Sequence, residues 1–284
     1  MIPVSALAAT LLSALIHAGW NLFLKGSGKN GAGDRLVDLA VLGLGGSLFG
    51  CLLIALFGAP VAGAWPFILA SSAIHLVYWT ALTRGYAAGD MSHVYTIARG
   101  VAPAMVTLGA VLAAGEVPPL AQALGVVAIS VGVMLVGVNA HAPLAATGWA
   151  LLTGCAIAGY SLVDALGVRA NQDVFSYKGW GAVFTFLPIS LFVVARRGVN
   201  GFAAAAAGRW KQGMLAGAIS SAGFMLVLWA QMRAPIGPIT ALRETSVLFG
   251  AALAALLLKE TVTPRRWAGA LVVCAGAMLI GFSG

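Results

Sequence analysis

The stretch that decides the fold is Thr96 to Gly137, TIARGVAPAMVTLGAVLAAGEVPPLAQALGVVAISVGVMLVG. It returns 144 positions later, from Thr240 to Gly281, as TALRETSVLFGAALAALLLKETVTPRRWAGALVVCAGAMLIG. Each copy holds two apolar runs of about 20 residues, the length that crosses the hydrocarbon core of a bilayer. The polar and glycine matches are Thr96/Thr240, Arg99/Arg243, Glu116/Glu260, Gly125/Gly269, Gly132/Gly276 and Gly137/Gly281. The repeat predicts a duplicated membrane protein with an arginine near the middle of the membrane in each copy.

The composition of the chain excludes a water-soluble fold. Of its 284 residues, 61% are hydrophobic and 8% are charged, and the mean hydropathy is +0.97, whereas soluble domains carry about 25% charged residues. The net charge of +8 does not indicate nucleic-acid binding, because the basic residues are scattered among loops, where charge reports membrane topology. Cys51, Cys155 and Cys274 lie inside apolar runs and show neither disulfide nor metal-ligand spacing. We expect an all-α integral membrane protein that sits in a lipid bilayer and holds no metal or cofactor.

Ten apolar runs are long enough to form transmembrane helices. Five helices per copy is an odd number, so the second copy must enter the membrane upside down. We therefore predict two inverted five-helix repeats, residues 1–139 and 140–284, around a central cavity. Inverted repeats are typical of transporters whose substrate site lies near the middle of the membrane. The predicted helices are 3–24, 36–57, 66–84, 91–114, 119–139, 144–167, 174–195, 212–232, 236–258 and 264–282, and the longest loop runs from Arg196 to Lys211.

The loop charges predict an orientation. Loops after odd-numbered helices hold eleven Lys and Arg residues, and loops after even-numbered helices hold three, Arg169, Lys178 and Arg233. Basic loops of membrane proteins face the cytoplasm. This count places both termini outside the cell.

Polar and aromatic residues share helical faces on the first, third, fourth, sixth, eighth and ninth predicted helices. Residues three or four apart lie on one face, and an ionisable group inside a membrane span marks a functional site by default. The second, fifth, seventh and tenth helices offer mostly aliphatic and small residues. We predict a substrate cavity lined by His17, Trp20, Asn21, His75, Tyr78, Trp79, Tyr95, Arg99, Tyr160, Arg243 and Glu244.

Several of these residues also have a structural interpretation. Each histidine can be a packed neutral residue that bonds to a backbone carbonyl group. Arg99 and Arg243 can either clamp the fold through a buried acid or bind a substrate carboxylate with the guanidinium fork. We expect Arg243 to be the more structural arginine, since Glu244 is next to it in sequence. Glu116 and the corresponding Glu260 are predicted to cap or anchor turns.

These features resemble a known family. Ten helices as five plus five, Gly19-Trp20-Asn21 late in the first helix, and the Gly-Glu and Lys-Glu turns at Glu116 and Glu260 resemble the drug/metabolite transporter superfamily, EamA type. Within it the chain is most similar to the YddG-like bacterial amino-acid exporters. The resemblance implies a secondary transporter in a bacterial inner membrane that moves small metabolites, above all amino acids, out of the cell by alternating access. Its members keep their termini in the cytoplasm, which disagrees with the loop charges.

Other functions are compatible with parts of this pattern. Export of other drugs or metabolites would use the same fold. An intramembrane enzyme is disfavoured because the chain has no HExxH, nucleophile-elbow or CxxC motif, and a channel would show a repeated filter or charged ring. Proton coupling or passive transport, and a monomer or a homodimer, fit the sequence equally.

Overall fold

The protein is a bundle of α-helices. The computed structural model describes residues 2–27, 35–139, 141–258 and 263–283. Within these ranges there is no strand, and a short 3-10 turn at Ala62–Ala64 precedes the third helix. The all-α prediction is confirmed. The helices are α1 (Val4–Ser27), α2 (Arg35–Phe57), α3 (Trp65–Ala88), α4 (Met91–Ala114), α5 (Leu120–Gly137), α6 (Leu144–Asn171), α7 (Val174–Arg197), α8 (Val199–Ala206), α9 (Trp210–Gln231), α10 (Ile236–Arg243), α11 (Ser246–Leu258) and α12 (Pro264–Phe282).

The ninth predicted helix, 236–258, is wrong as a continuous element. It is divided into α10 and α11 by a tight turn at Glu244 and Thr245. The backbone N–H groups of these two residues bond to carbonyls three positions back, at 2.9 and 3.1 Å. The Thr245 hydroxyl donates a further bond of 2.7 Å to the Leu242 carbonyl. A hydroxyl that competes for a backbone carbonyl disturbs the regular helical ladder, so the chain tightens here.

The predicted loop from Arg196 to Lys211 is also more ordered than expected. It contains the short helix α8, whose sequence VNGFAAAA begins after Gly198 at a φ of 72°. The alanine run that suggested a featureless loop favours a helix, because alanine has the best helix propensity. The Arg209 guanidinium next to α8 bonds to the Ala205 carbonyl at 3.0 Å and pairs with Asp38 of α2 at 3.1 Å.

Eight helices of the described residues are long and apolar enough to cross a membrane: α2, α3, α4, α5, α6, α7, α9 and α12. Large apolar side chains cover the outside of the bundle. Leu112 of α4 is 79% exposed and its repeat counterpart Leu256 of α11 is 76% exposed. Surfaces of this kind are stable in lipid and not in water. The chain is a multi-pass membrane protein.

Helix starts follow the sequence signals. The Asp90 carboxylate accepts bonds from the Ser92 and His93 N–H groups at 2.6 and 3.4 Å and caps α4. Asp173 caps α7 in the same way through the Phe175 and Ser176 N–H groups. Partial burial raises the pKa of the Asp173 carboxyl, but its hydrogen bonds outweigh this effect and hold the pKa below its usual value.

Two glycine pairs hold α5 against α12. A Cβ atom on Gly125 would lie 2.7 Å from the Gly276 carbonyl oxygen, and one on Gly276 would lie 2.7 Å from the Gly125 carbonyl oxygen. Gly132 and Gly269 face each other likewise, at 2.9 and 2.7 Å. Since no Cβ tolerates such distances, the glycines set how closely the helices approach. An early residue of α5 meets a late residue of α12, so the two helices run antiparallel.

Glycines also bring α2 close to α7 and α9. A Cβ on Gly50 would lie 2.6 Å from the Gly179 carbonyl oxygen of α7. A Cβ on Gly217 of α9 would collide with the Leu42 carbonyl, and one on Gly45 would collide with the Met214 carbonyl. Backbone contacts at these points hold α2, α7 and α9 close together. The space inside the bundle lies on the side of these helices that faces away from the contacts.

Replacing Gly276 by alanine tests the α5–α12 contact. The new methyl group would meet the Gly125 carbonyl at 2.7 Å, so we expect Gly276→Ala to destabilise the protein by about 1–3 kcal/mol. Gly148→Ala is the matched control, because Gly148 also lies in a helix but has no atom within 4 Å of the place that a Cβ would occupy. That change should stabilise by ~0.4–1 kcal/mol. Melting temperatures of the purified variants in detergent measure both, and equal shifts would contradict the contact.

Candidate functional site

A cavity of about 370 Å³ lies between the helices. Its walls come from α1, α2, α3, α4, α6, α7, α9 and α10. The volume is that of a site for a small molecule. Its polar and aromatic lining includes His17, Asp38, Ser71, His75, Tyr78, Trp79, Tyr86, Tyr95, Arg99, Tyr160, Asp164, Tyr177, Lys178, Ser221, Phe224 and Arg243.

An aromatic cluster forms one wall of the cavity. The rings of His75 and Tyr160 stack with centroids 4.0 Å apart. Tyr78 meets Trp79 edge-on at 4.8 Å and Tyr160 at 5.8 Å, and Tyr160 meets Phe224 at 6.4 Å. Such offset and edge-to-face contacts hold the rings in fixed orientations. The cluster joins α3, α6 and α9 and presents an apolar, polarisable surface to a ligand.

Backbone bonding fixes the tautomer of His75. Its Nδ1 lies 2.8 Å from the Ser71 carbonyl oxygen, one helical turn earlier. A carbonyl can only accept, so Nδ1 carries the proton and Nε2 of the neutral ring is the acceptor. The bond to a backbone carbonyl is the contact that the structural interpretation of His75 expects, and the same ring also lines the cavity.

Arg99 is paired inside the protein. Its Nε lies 2.8 Å from Glu244 Oε2, and both side chains are buried. Its second terminal nitrogen donates to the Ser246 hydroxyl at 3.3 Å. The guanidinium carbon also lies 5.8 Å from the Tyr95 ring centroid. These contacts tie the middle of α4 to the turn between α10 and α11.

Glu244 forms its ion pair with Arg99 and not with Arg243, contrary to the reason for expecting Arg243 to be the more structural arginine. Neighbouring helical residues point in different directions, and the Glu244 carboxylate lies within ion-pair distance of Arg99. The Arg243 guanidinium carbon lies 5.0 Å from the Phe224 ring centroid, and its buried Nε has no hydrogen-bond partner among the described residues. Both arginines line the cavity, and Arg99 is the one of the two that is held by an ion pair to Glu244.

The seventh helix contributes polar residues that sequence reasoning missed. Lys178 was counted as a loop charge, but it lies inside α7, is buried, and has its ammonium 5.0 Å from the Phe224 ring centroid. Tyr177 donates a 3.0 Å bond to Asp164 Oδ1. The sequence signal for Lys178 is a lysine followed by a long apolar run. A charge at that position is costly unless it faces a polar interior, so the lysine itself indicates a polar cavity. Asp38 of α2 likewise reaches the cavity.

The predicted site residues fall into three groups. Glu244 does not line the cavity but is buried behind Arg99. Trp20 and Asn21 belong to α1, and their side chains lie outside the part of the structure that is described. In the described ranges no group of His, Cys, Asp and Glu is arranged to hold a metal ion. The residues brought together on the cavity wall are His17, His75, Tyr78, Trp79, Tyr95, Arg99, Tyr160 and Arg243.

Glu116 anchors a turn away from the cavity. One carboxylate oxygen pairs with Arg169 Nη1 at 2.5 Å and the other accepts the Ile236 N–H at 2.8 Å, at the start of α10. Arg169 also donates to the Gln231 and Ala234 carbonyls at 2.7 and 2.9 Å. The α4–α5 turn is thereby tied to the ends of α6 and α9. The counterpart Glu260 lies outside the described residues.

Comparison with known proteins relates the second half of the chain to a transporter family. Residues 144–282 match the EamA-like transporter family. This EamA-like domain comprises α6 to α12 and confirms the resemblance for that half of the chain. One solved crystal structure superposes with a TM-score of 0.70 over 96% of both chains at 16% identity, which shows a shared fold. No curated protein sequence matches the chain.

The buried Arg99–Glu244 pair predicts a stability defect in single variants. Glu244→Gln leaves the guanidinium buried without a counter-charge, which costs about 3–5 kcal/mol. The combined change Arg99→Met with Glu244→Gln removes both charges and should regain much of that loss. The measurement is the melting temperature together with abundance in the membrane. A Glu244→Gln variant with wild-type stability would show that the pair does not hold the fold.

Proposed function

We propose that the chain is a secondary transporter of the drug/metabolite type that moves small metabolites across the membrane by alternating access. Amino acids with aromatic or neutral side chains are its proposed substrates, and export through a bacterial inner membrane is its proposed direction. The observation that carries the proposal is a cavity inside a membrane bundle in which Arg243, whose Nε has no hydrogen-bond partner among the described residues, lies against Phe224 of the aromatic cluster. The EamA-like domain supports transport as the reaction class.

The cavity offers separate contacts for the two ends of such a substrate. A carboxylate can accept two parallel bonds from the Arg243 guanidinium, which is suited to that geometry. An aromatic or aliphatic side chain can pack against the rings of Tyr78, Trp79 and Tyr160, which are already oriented by each other. The Trp79 Nε1–H is buried without a partner among the described residues and can donate to the ligand.

We propose further that the ten predicted helices form two inverted repeats, 1–139 and 140–284. α1 and the interrupted α10–α11 would then complete the ten spans. Support comes from α5 and α12, which are repeat counterparts and cross antiparallel. The offset of 144 converts the contact Gly125–Gly276 into Gly269–Gly132, which the structure also contains. A twofold axis perpendicular to antiparallel helices produces this reciprocity, and inverted repeats have such an axis in the membrane plane.

Transport by Arg243 variants tests the proposed function. Arg243→Lys keeps the positive charge but cannot donate the bidentate pair of hydrogen bonds that a guanidinium gives to a carboxylate. The apparent affinity for an amino acid such as phenylalanine should therefore fall about tenfold or more. The measurement is concentration-dependent uptake or counterflow of labelled amino acids in proteoliposomes. The melting temperature of the variant should stay near that of the wild type.

Arg233→Lys is the matched control for this experiment. Arg233 also lies over an aromatic ring, 4.0 Å from the Trp229 centroid, but it is exposed and does not line the cavity. Its transport should be unchanged. If wild-type proteoliposomes move none of a panel of amino acids and related metabolites, the proposed function is wrong. If Arg243→Lys transports with wild-type affinity, the carboxylate is bound elsewhere.

A further inference from the structure

We infer that the cavity selects organic anions and that Lys178 and Arg243 together form the subsite for their carboxylate. The inference rests on the proposed transport function and changes its preferred substrates, from neutral amino acids to molecules of similar size that carry a net negative charge. Among amino acids and related metabolites, those with net negative charge and an apolar body would be preferred. Acidic or N-acylated amino acids and aromatic carboxylates are such molecules.

Two cations converge on one aromatic ring in this subsite. The Lys178 ammonium nitrogen and the Arg243 guanidinium carbon each lie 5.0 Å from the Phe224 ring centroid. Lys178 comes from α7 and Arg243 from α10, so the two charges approach from different helices. A ring face stabilises a cation less strongly than a carboxylate does. The shared ring places both cations in the same part of the cavity, where one anionic group would reduce the repulsion between them.

The remaining charges do not neutralise this pair of cations. In the described part of the cavity wall, Arg99 is paired with Glu244, and Asp38 is paired with Arg209 at 3.1 Å. Asp164 accepts the Tyr177 hydroxyl and is the carboxylate left to balance Lys178 and Arg243. With neutral histidines, the described wall therefore carries one excess positive charge. A buried charge without a counter-ion is unfavourable, so an anionic ligand is favoured over a zwitterion.

Unpartnered polar atoms of the wall point to the same ligand. Apart from the Arg99–Glu244 pair, the buried cavity atoms that have no partner among the described residues are Trp79 Nε1, Ser221 Oγ and Arg243 Nε. Two of these can only donate a hydrogen bond, and the hydroxyl can donate. An ionised carboxylate only accepts, whereas an ammonium only donates. These donors are complementary to a carboxylate, whereas His75 Nε2 and the Asp164 carboxylate are acceptors of the same wall, so the preference for an anion rests on the excess positive charge.

Three ligands of similar size and different charge test the inference. They are 3-phenylpropionate, phenylalanine and phenethylamine, which are an anion, a zwitterion and a cation at neutral pH. Their affinities for the purified wild-type protein can be obtained from the rise in melting temperature with ligand concentration. We expect 3-phenylpropionate to bind about tenfold or more tightly than phenylalanine, and phenethylamine to give no shift.

Lys178→Met should abolish this preference. Removing the ammonium weakens 3-phenylpropionate binding about tenfold or more, because one charge-assisted bond is lost. The same change relieves repulsion of the phenylalanine ammonium, so the affinity for phenylalanine should stay the same or rise. Lys178→Arg keeps the charge and should keep the preference for the anion. Lys211→Met is the matched control, since Lys211 lies 5.6 Å from the Trp210 ring on an exposed surface.

The outcomes separate this inference from the proposed function. Phenylalanine binding that equals or exceeds 3-phenylpropionate binding in the wild type would overturn the inference and leave transport standing. An anion preference that survives in a stably folded Lys178→Met variant would overturn the role of Lys178. If Lys178→Met does not fold, loss of the preference in Lys178→Arg would contradict the subsite. If no ligand binds and proteoliposomes transport nothing, both proposals fail.

Discussion

The structure depends on how charges are buried inside an apolar bundle. An arginine in the middle of a membrane span costs about 2.5 kcal/mol or more unless it finds a partner. Arg99 finds Glu244 at 2.8 Å, and the pair spans from α4 to the turn between α10 and α11. Glu244 is next to Arg243 in sequence but forms its ion pair with Arg99. The Arg243 guanidinium lies instead against the Phe224 ring, and this difference determines the chemistry of the cavity. The two arginines of the repeat therefore differ in their surroundings: Arg99 has a buried counter-charge, and Arg243 lies against an aromatic ring.

Close packing between helices at glycine positions leaves the cavity in the centre of the bundle. Glycines let α5 approach α12 and let α2 approach α7 and α9 until backbone atoms touch. Bulky residues are concentrated elsewhere, with leucines on the outside and aromatic rings around the cavity. Helices that pack through smooth glycine faces can also slide on each other with little loss of side-chain contact, as alternating access would require.

Much of the fold and part of the site could be predicted from the sequence. Apolar runs of membrane-crossing length place the helices to within a few residues, and helical spacing puts His75, Tyr78 and Trp79 on one face of α3. The turn at Glu244 could not be predicted, because the polar stretch Arg243-Glu244-Thr245-Ser246 contains neither glycine nor proline to mark a break between the two apolar segments. The ion-pair partner of Glu244 could not be predicted from the sequence either. Sequence proximity favours Arg243, whereas the pair joins Glu244 to Arg99, 145 positions away. Lys178 falls within the predicted helix 174–195, but it was not predicted to line the cavity because a charge near the start of an apolar run resembles a loop charge.

The central claim is that the cavity serves transport, and accessibility of its wall from both sides of the membrane tests this most directly. In a variant whose cysteines 51, 155 and 274 are replaced, Ser221→Cys introduces one thiol on the cavity wall with little change in volume. The thiol should react with a membrane-impermeant reagent added to intact cells and, separately, to inside-out vesicles. A ligand that fills the cavity should slow both reactions. Labelling from one side only, or labelling that no ligand slows, would contradict alternating access to this site.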